Sequence, residues 1–399
     1  MPFLPAPRSG RVLVLLALAA MHCHAVLASP YRPGNDSEIL EQLPERPFGP
    51  SRQHERALRE LIAQQPDPLD LAVRMAAIEV RRSLIGSDPR PLGQAEALLA
   101  PWWNERRPPV PVLLLRATIR QRGHDFAAAR ADLVQALQRD PDNAQAWLSL
   151  ASIEQVTGNF DAADRACAHL PEIATLLVAQ TCRAALDGVR GRAAEASAML
   201  ADALAGAARG DRDQLRDWVF TLRAELAERR GRADEAARFY QASLAVNPDD
   251  TYTIAAYADY LLDAGRAEDV IGLIAAGTPV DTLLLRRAQA ARRLNRADAQ
   301  ALIADLDARF AASRERGDRV HLREEARYRL ELAGDPIGAL ELAGANWRVQ
   351  KEPLDARILL ECAIAAGRPE AAAEVIAWIR RNNLESPMIA RLVAQAEGA

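Results

Sequence analysis

The chain has 399 residues, a formal net charge of -4, and 26% charged but only 5% aromatic residues. A mildly acidic balance leaves no electrostatic footprint for nucleic acid or an anionic membrane surface. The length exceeds an ordinary single hydrophobic core, and Lys351 is the only lysine, a compositional bias and not a binding feature.

The N-terminus carries a targeting pattern. Arg8 and Arg11 precede an apolar run from Val12 to Leu27, interrupted only by His22, Cys23 and His24. Val26 and Ala28 then place small residues ahead of Ser29-Pro30. That order describes a secretory signal over residues 1–28, cleaved near Ala28, with an uncleaved anchor as the alternative. His22 before Cys23 does not suit a lipoprotein site. Losing Arg8 and Arg11 takes the formal charge from -4 to -6. No later run approaches a membrane span, so the expected mature chain is periplasmic or secreted, without a transmembrane segment.

Residues 29–50 are Pro-rich and polar and read as a strap or linker. Residues 51–109 read as N-terminal helical hairpins, with Leu69 to Leu99 as one loose hairpin and Trp102-Trp103 just beyond it. From there the chain repeats itself. Phe126-Ala127-Ala128-Ala129 returns 34 residues later as Phe160-Asp161-Ala162-Ala163. Gly231-Arg232-Ala233-Asp234-Glu235-Ala236 returns, again 34 residues on, as Gly265-Arg266-Ala267-Glu268-Asp269-Val270. Each unit predicts an amphipathic helix, a Gly or Asn turn, a second helix with Ala near its start, and then Pro. Pro141 and Pro248 stop second helices, and neighbouring Asp or Asn residues can cap the next first helices. Small residues such as Ala129, Ala163 and Ala236 fall where paired helices approach most closely. Weaker turns follow at Gly191, spaced 40 residues from Gly231, and at Asn295, Gly334 and Gly367.

These units resemble the tetratricopeptide repeat family. Trp147, Leu150, Ala151, Ala163 and Cys167 fit the family pattern in register, as do Phe220, Ala224, Ala236, Tyr240, Ser243 and Pro248. The unit from Val110 to Asn143 keeps Leu115, Ala129, Leu133, Ala136 and Pro141, with one residue added at its turn. The resemblance implies an all-α, right-handed superhelical solenoid, with core repeats over residues 110–278 and degenerate ones over 279–399. A single hairpin of this size cannot bury its apolar face alone, so stacked neighbours share one core and leave a concave groove.

The resemblance also implies where a partner would lie. First-helix positions supply Gln145, Leu148, Ser152 and Gln155 in one unit and Trp218, Thr221, Glu225 and Glu228 in another. The next offers Tyr252, Ala255 and Asp259, with Asp263 one place past the matching position. The family's best-known clamp holds a C-terminal carboxylate with Lys and Asn; Gln, Ser, Glu and Asp here do not suit it. The expectation is a protein or peptide of basic or apolar character. Cys167 and Cys182 fall on helices that neighbour one another in the family's stacking, so they either form a disulfide or remain small buried apolar residues. Cys362 reads as core.

No catalytic constellation accompanies the repeats. His54, His124, His169 and His321 are scattered over separate units, and His321-Leu322-Arg323-Glu324-Glu325 lacks the second His of a zinc motif. It reads as a solvated charged helix. No cofactor and no metal are expected. The leading reading is a non-catalytic interaction scaffold in the bacterial envelope. The alternatives are an exported hydrolase with an unrecognised site and a periplasmic accessory for a non-protein ligand. Trp347 to Pro353, and Trp378, stand out from the Ala-rich background and read as tryptophans closing helix ends.

Overall fold

A computed structural model describes residue 60 and residues 68–86, 90–317 and 320–398. The expected signal and strap at residues 1–50, and His54, lie outside the described residues. Helices succeed one another as antiparallel pairs: α1 (Leu69–Gly86) with α2 (Arg90–Trp103), α3 (Val110–Arg122) with α4 (Phe126–Leu137), and α5 (Ala144–Val156) with α6 (Phe160–Ala168). A single turn, α7 (Leu170–Ile173), leads to α8 (Leu176–Gly188) and its mate α9 (Ala193–Gly206). Then come α10 (Arg209–Arg229) with α11 (Ala233–Val246), α12 (Thr251–Asp263) with α13 (Ala267–Leu273), and α14 (Asp281–Arg293) with α15 (Ala299–Glu315). The last pairs are α16 (Leu322–Tyr328) with α17 (Pro336–Trp347), and α18 (Pro353–Ala365) with a short 3₁₀ turn and α19 (Ala373–Arg381). Helix α20 (Pro387–Gly398) packs back on α18. This is an all-α solenoid of helical hairpins.

The local chemistry follows the repeat grammar. Ala129, Ala163 and Ala236 are at most 1% exposed and let their hairpins close tightly. Asn143 accepts the Ala146 N–H at 2.9 Å, and Asp250 accepts the Tyr252 and Thr253 N–H groups at 3.3 Å. Each cap satisfies backbone donors that the helix cannot, a contribution of about 1 kcal/mol. Asn143 and Asp250 are thus the caps, each two residues past its proline. The 40-residue spacing between Gly191 and Gly231 is absorbed by α10, which runs 21 residues where α5, α8 and α12 run 13. In the α3–α4 hairpin Gly123 ends the helix at φ -83°, and His124 takes the left-handed turn position at φ +59°. That is the added residue.

Apolar clusters step along the array from one unit to the next, but the last breaks the nearest-neighbour rule. Phe160, Ala163, Leu186 and Val189, from the α5–α6 and α8–α9 hairpins, share a core with Trp347, Ile376, Trp378, Leu384 and Ile389 near the C-terminus. Trp347 and Trp378 meet edge to face, and Phe160 lies 5.9 Å from Trp378. The tryptophans therefore do more than close their own units: they carry the C-terminal hairpins back onto earlier turns.

Candidate partner-binding groove

First helices α5, α8, α10 and α12 turn one face inward, and two adjoining cavities open there. The outer lobe, of about 600 Å³, is lined by Gln145, Leu148, Ser152, Gln155, Trp218, Thr221, Glu225 and Tyr252. The inner lobe, of about 390 Å³, shares Gln155, Glu225 and Tyr252 and adds Glu228, Asp259 and Asp263. The inner-face positions expected from the sequence border one of these lobes except Ala255, which is buried in the core with Tyr240 and Ala258.

Their partners differ. Thr221 is only 5% exposed, and its hydroxyl is held by Ser243 at 2.8 Å and Thr253 at 2.6 Å, so it knits three helices and is not free for a ligand. Tyr252 is 60% exposed and donates to Glu225. Asp259 accepts bidentate bonds from Arg286 at 2.8 and 3.0 Å and is also bound by Arg327 at 2.9 Å. Burial opposes its charge, but these two guanidinium groups outweigh burial and hold its carboxyl well below the usual range. Asp263 is paired with both terminal nitrogens of Arg357. The acidic stripe expected for a basic partner is therefore narrowed, because Asp259 and Asp263 are already neutralised within the chain.

Glu225 and Glu228 are different. Burial raises the Glu225 carboxyl above its ordinary value, against Arg229, which stands 3.4 Å away, and the Tyr252 hydroxyl. Burial, with Glu225, Asp263 and Asp259 nearby, pushes Glu228 up to about 8, and the Tyr240 hydroxyl that donates to it offsets only part of this.

Sequence reasoning missed the opposite wall of the inner lobe: Arg323, Lys351, Glu352, Arg357 and residues near Pro387. The helix at His321 to Glu325 also needs correction. Glu324 and Glu325 are 7% and 5% exposed, not solvated. Glu324 accepts from Arg286, and Glu325 from Arg314 at 2.6 Å and Arg329 at 3.0 Å. A helix this charged is buried only because each carboxylate meets a guanidinium. Among the described residues no group of three or more His, Cys, Asp or Glu is placed to hold a metal.

Cys167 on α6 and Cys182 on α8 are joined by a disulfide 15 residues apart, whereas Cys362 is free and buried. The link lies beneath the outer lobe, where Cys182 lines the floor beside Ala151. It ties one unit to the next where α6, at nine residues, is shorter than α4. Replacing both cysteines with alanine should lower stability by about 3 kcal/mol, the loop-closure entropy of a ring this size. Urea titrations of the two proteins measure the loss, and equal midpoints would show that the link adds nothing.

Stacked hairpins with left-handed turns, small residues at close approaches and an inward face of first helices define a helical-repeat protein that presents a groove. Residues 122–186 match the tetratricopeptide repeat family model, so that span carries repeats of this kind. Among solved structures it is similar to PilW, a widely conserved type IV pilus biogenesis factor, at 18% identity and a TM-score of 0.35, covering 71% of this chain and 98% of that one. It is also similar to yeast Tom70, at 12% identity and a TM-score of 0.32, covering 87% of this chain and 93% of that one. A third likeness is to the P58(IPK) TPR domain, at 14% identity and a TM-score of 0.24, covering 82% of this chain and 97% of that one. At scores this low the roles of those proteins do not transfer. None of the curated proteins matches the chain in sequence.

Proposed function

We propose that the chain is a non-catalytic scaffold of the bacterial envelope that holds an extended segment of a partner polypeptide along its groove. The observation carrying this reading is the convergence of Gln145, Leu148, Ser152, Gln155, Trp218 and Tyr252, from successive units, on one open lobe of about 600 Å³. Amide and hydroxyl groups there suit the main chain of an extended peptide, and Trp218 and Tyr252 offer flat surfaces to its side chains. Glu225, bordering both lobes, and Glu228, in the inner one, are buried carboxyls whose ionised form an incoming basic residue would favour. Placement in the envelope is supported by the signal pattern of residues 1–28, and mass spectrometry of the mature chain should find it beginning near Ser29.

A photo-crosslinking residue at Ser152 should capture a discrete polypeptide in intact cells. The same residue at Val134, 42% exposed on second helix α4, should not. Identical products from both positions, or none from Ser152, would defeat the groove reading.

A further inference from the structure

We infer that the C-terminal hairpins are an autoinhibitory lid on the inner lobe, which must lift for a partner to reach it; this rests on the groove reading above. In this structure that lobe is walled on one side by α10 and α12 and on the other by Lys351, Glu352, Arg357, Pro387, Met388 and Arg391 of the same chain. An occupant tethered to its own site competes at high effective concentration with anything arriving from solution.

The lid is seated by contacts at the turn edge of the repeats. Lys351 donates its backbone N–H to the Val156 carbonyl at 2.7 Å. Glu385 accepts the Ala193 N–H at 3.1 Å, capping α9, whose own Arg192 makes no side-chain cap. Arg357 reaches across the lobe to Asp263. Two glycines permit the approach. A Cβ on Gly158, at φ +80°, would stand 3.1 Å from the Lys351 Cδ, and one on Gly191, at φ +72°, would stand 2.6 Å from the Asn383 carbonyl oxygen. Neither glycine is needed for the turn alone, since His124 and Asn295 make equivalent turns with side chains.

The seating is of a kind that opens locally. The seating lies outside the neighbour-to-neighbour stacking of the array, so the hairpins can leave it while keeping their own stacking on the preceding units. The polar contacts across this seam are two single bonds to main-chain groups and the bidentate Arg357–Asp263 pair. The apolar part joins Phe160, Ala163, Leu186 and Val189 to Trp378, Leu384 and Ile389.

The test uses the full chain carrying Gly191→Ala, which drives a methyl into the Asn383 carbonyl, or Glu385→Ala, which removes the cap of α9. Gly265→Ala is the control: its φ is also +72°, but nothing lies within 4 Å of the added Cβ. Hydrogen exchange at the amides of Lys351 and Ala193 should quicken at least tenfold in the first two variants and not in the control. A photo-crosslinker at Ala256, which borders the inner lobe and not the outer one, should then give a several-fold higher adduct yield, while one at Ser152 in the outer lobe stays unchanged. Faster exchange without any gain at Ala256 would overturn the lid while leaving the groove reading intact. Unchanged exchange in both variants would overturn it as well. Absence of any adduct at Ser152 in every protein would defeat the groove reading itself, and the lid with it.

Discussion

Replacing Arg286 with methionine is expected to cost about 3–5 kcal/mol of stability, the usual loss when one partner of a buried charge network is removed. Arg286 is 2% exposed and bonds at once to Asp259, Glu324 and the Thr282 carbonyl. It sits on α14 and joins the first helix before it to the first helix after it. Methionine keeps much of the volume, so packing changes little and the loss is electrostatic: Glu324 loses a direct partner and Asp259 keeps only Arg327. The triple variant Arg286→Met, Asp259→Asn, Glu324→Gln should recover only part of the loss, because Glu324 no longer carries an unpaired charge but Arg327, 5% exposed, exchanges the Asp259 carboxylate for a neutral amide and keeps only Glu331 at 3.8 Å. The penalty should also shrink in acid. Asp259 ionises well below its ordinary 3.8 in the folded chain, so its contribution is present above that value and is lost as pH falls through the folded one. Urea unfolding followed by circular dichroism at pH 7 measures the single and triple variants. A loss under about 1 kcal/mol would mean that the network is solvated like an ordinary surface pair.

That network also shows where sequence reading stops. The hairpins were legible because their signals are local: Gly231 and Ala236 lie five residues apart and recur at a fixed period as Gly265 and Val270. The inner-face positions were legible for the same reason, since register within a first helix sets which side chains turn inward. The state of those side chains was not. Asp259 meets Arg327 from 68 residues away, a pairing with no periodic signature. Glu324 and Glu325 look solvated because helical periodicity reports a face and not what covers it. The fold-back of the C-terminal hairpins was hidden in the same way. Its marks were in view, as the tryptophans at 347 and 378, the lone lysine between them and the glycines at 158 and 191, but their meeting depends on how curvature accumulates over several units.

The Glu228 carboxyl makes the sharpest pH prediction. Its folded value of about 8 stands above the ordinary 4.5, so the unfolded chain gives up this proton first as pH rises. A raised carboxyl is fully tolerated below about 4.5 and becomes a growing cost through the window up to about 8, so stability falls with rising pH over that range. Converted at 1.36 kcal/mol per pKa unit, the full cost is on the order of 5 kcal/mol. Other groups titrate in the same window and blur the parent curve. Asp355, raised to about 6 by burial, has the same sign, whereas His124, lowered to about 4 by burial and by Arg323, loses stability in the opposite direction, as pH falls. The difference between the parent and Glu228→Gln cancels both. Glutamine still accepts the Tyr240 hydroxyl and cannot ionise, so the two proteins should be nearly equal at pH 4.5 and diverge steadily until the variant leads by a few kcal/mol at pH 8. Parallel stability curves across that window would mean that water in the inner lobe solvates the Glu228 carboxylate. In that case Glu228 would already stand charged in the inner lobe at neutral pH.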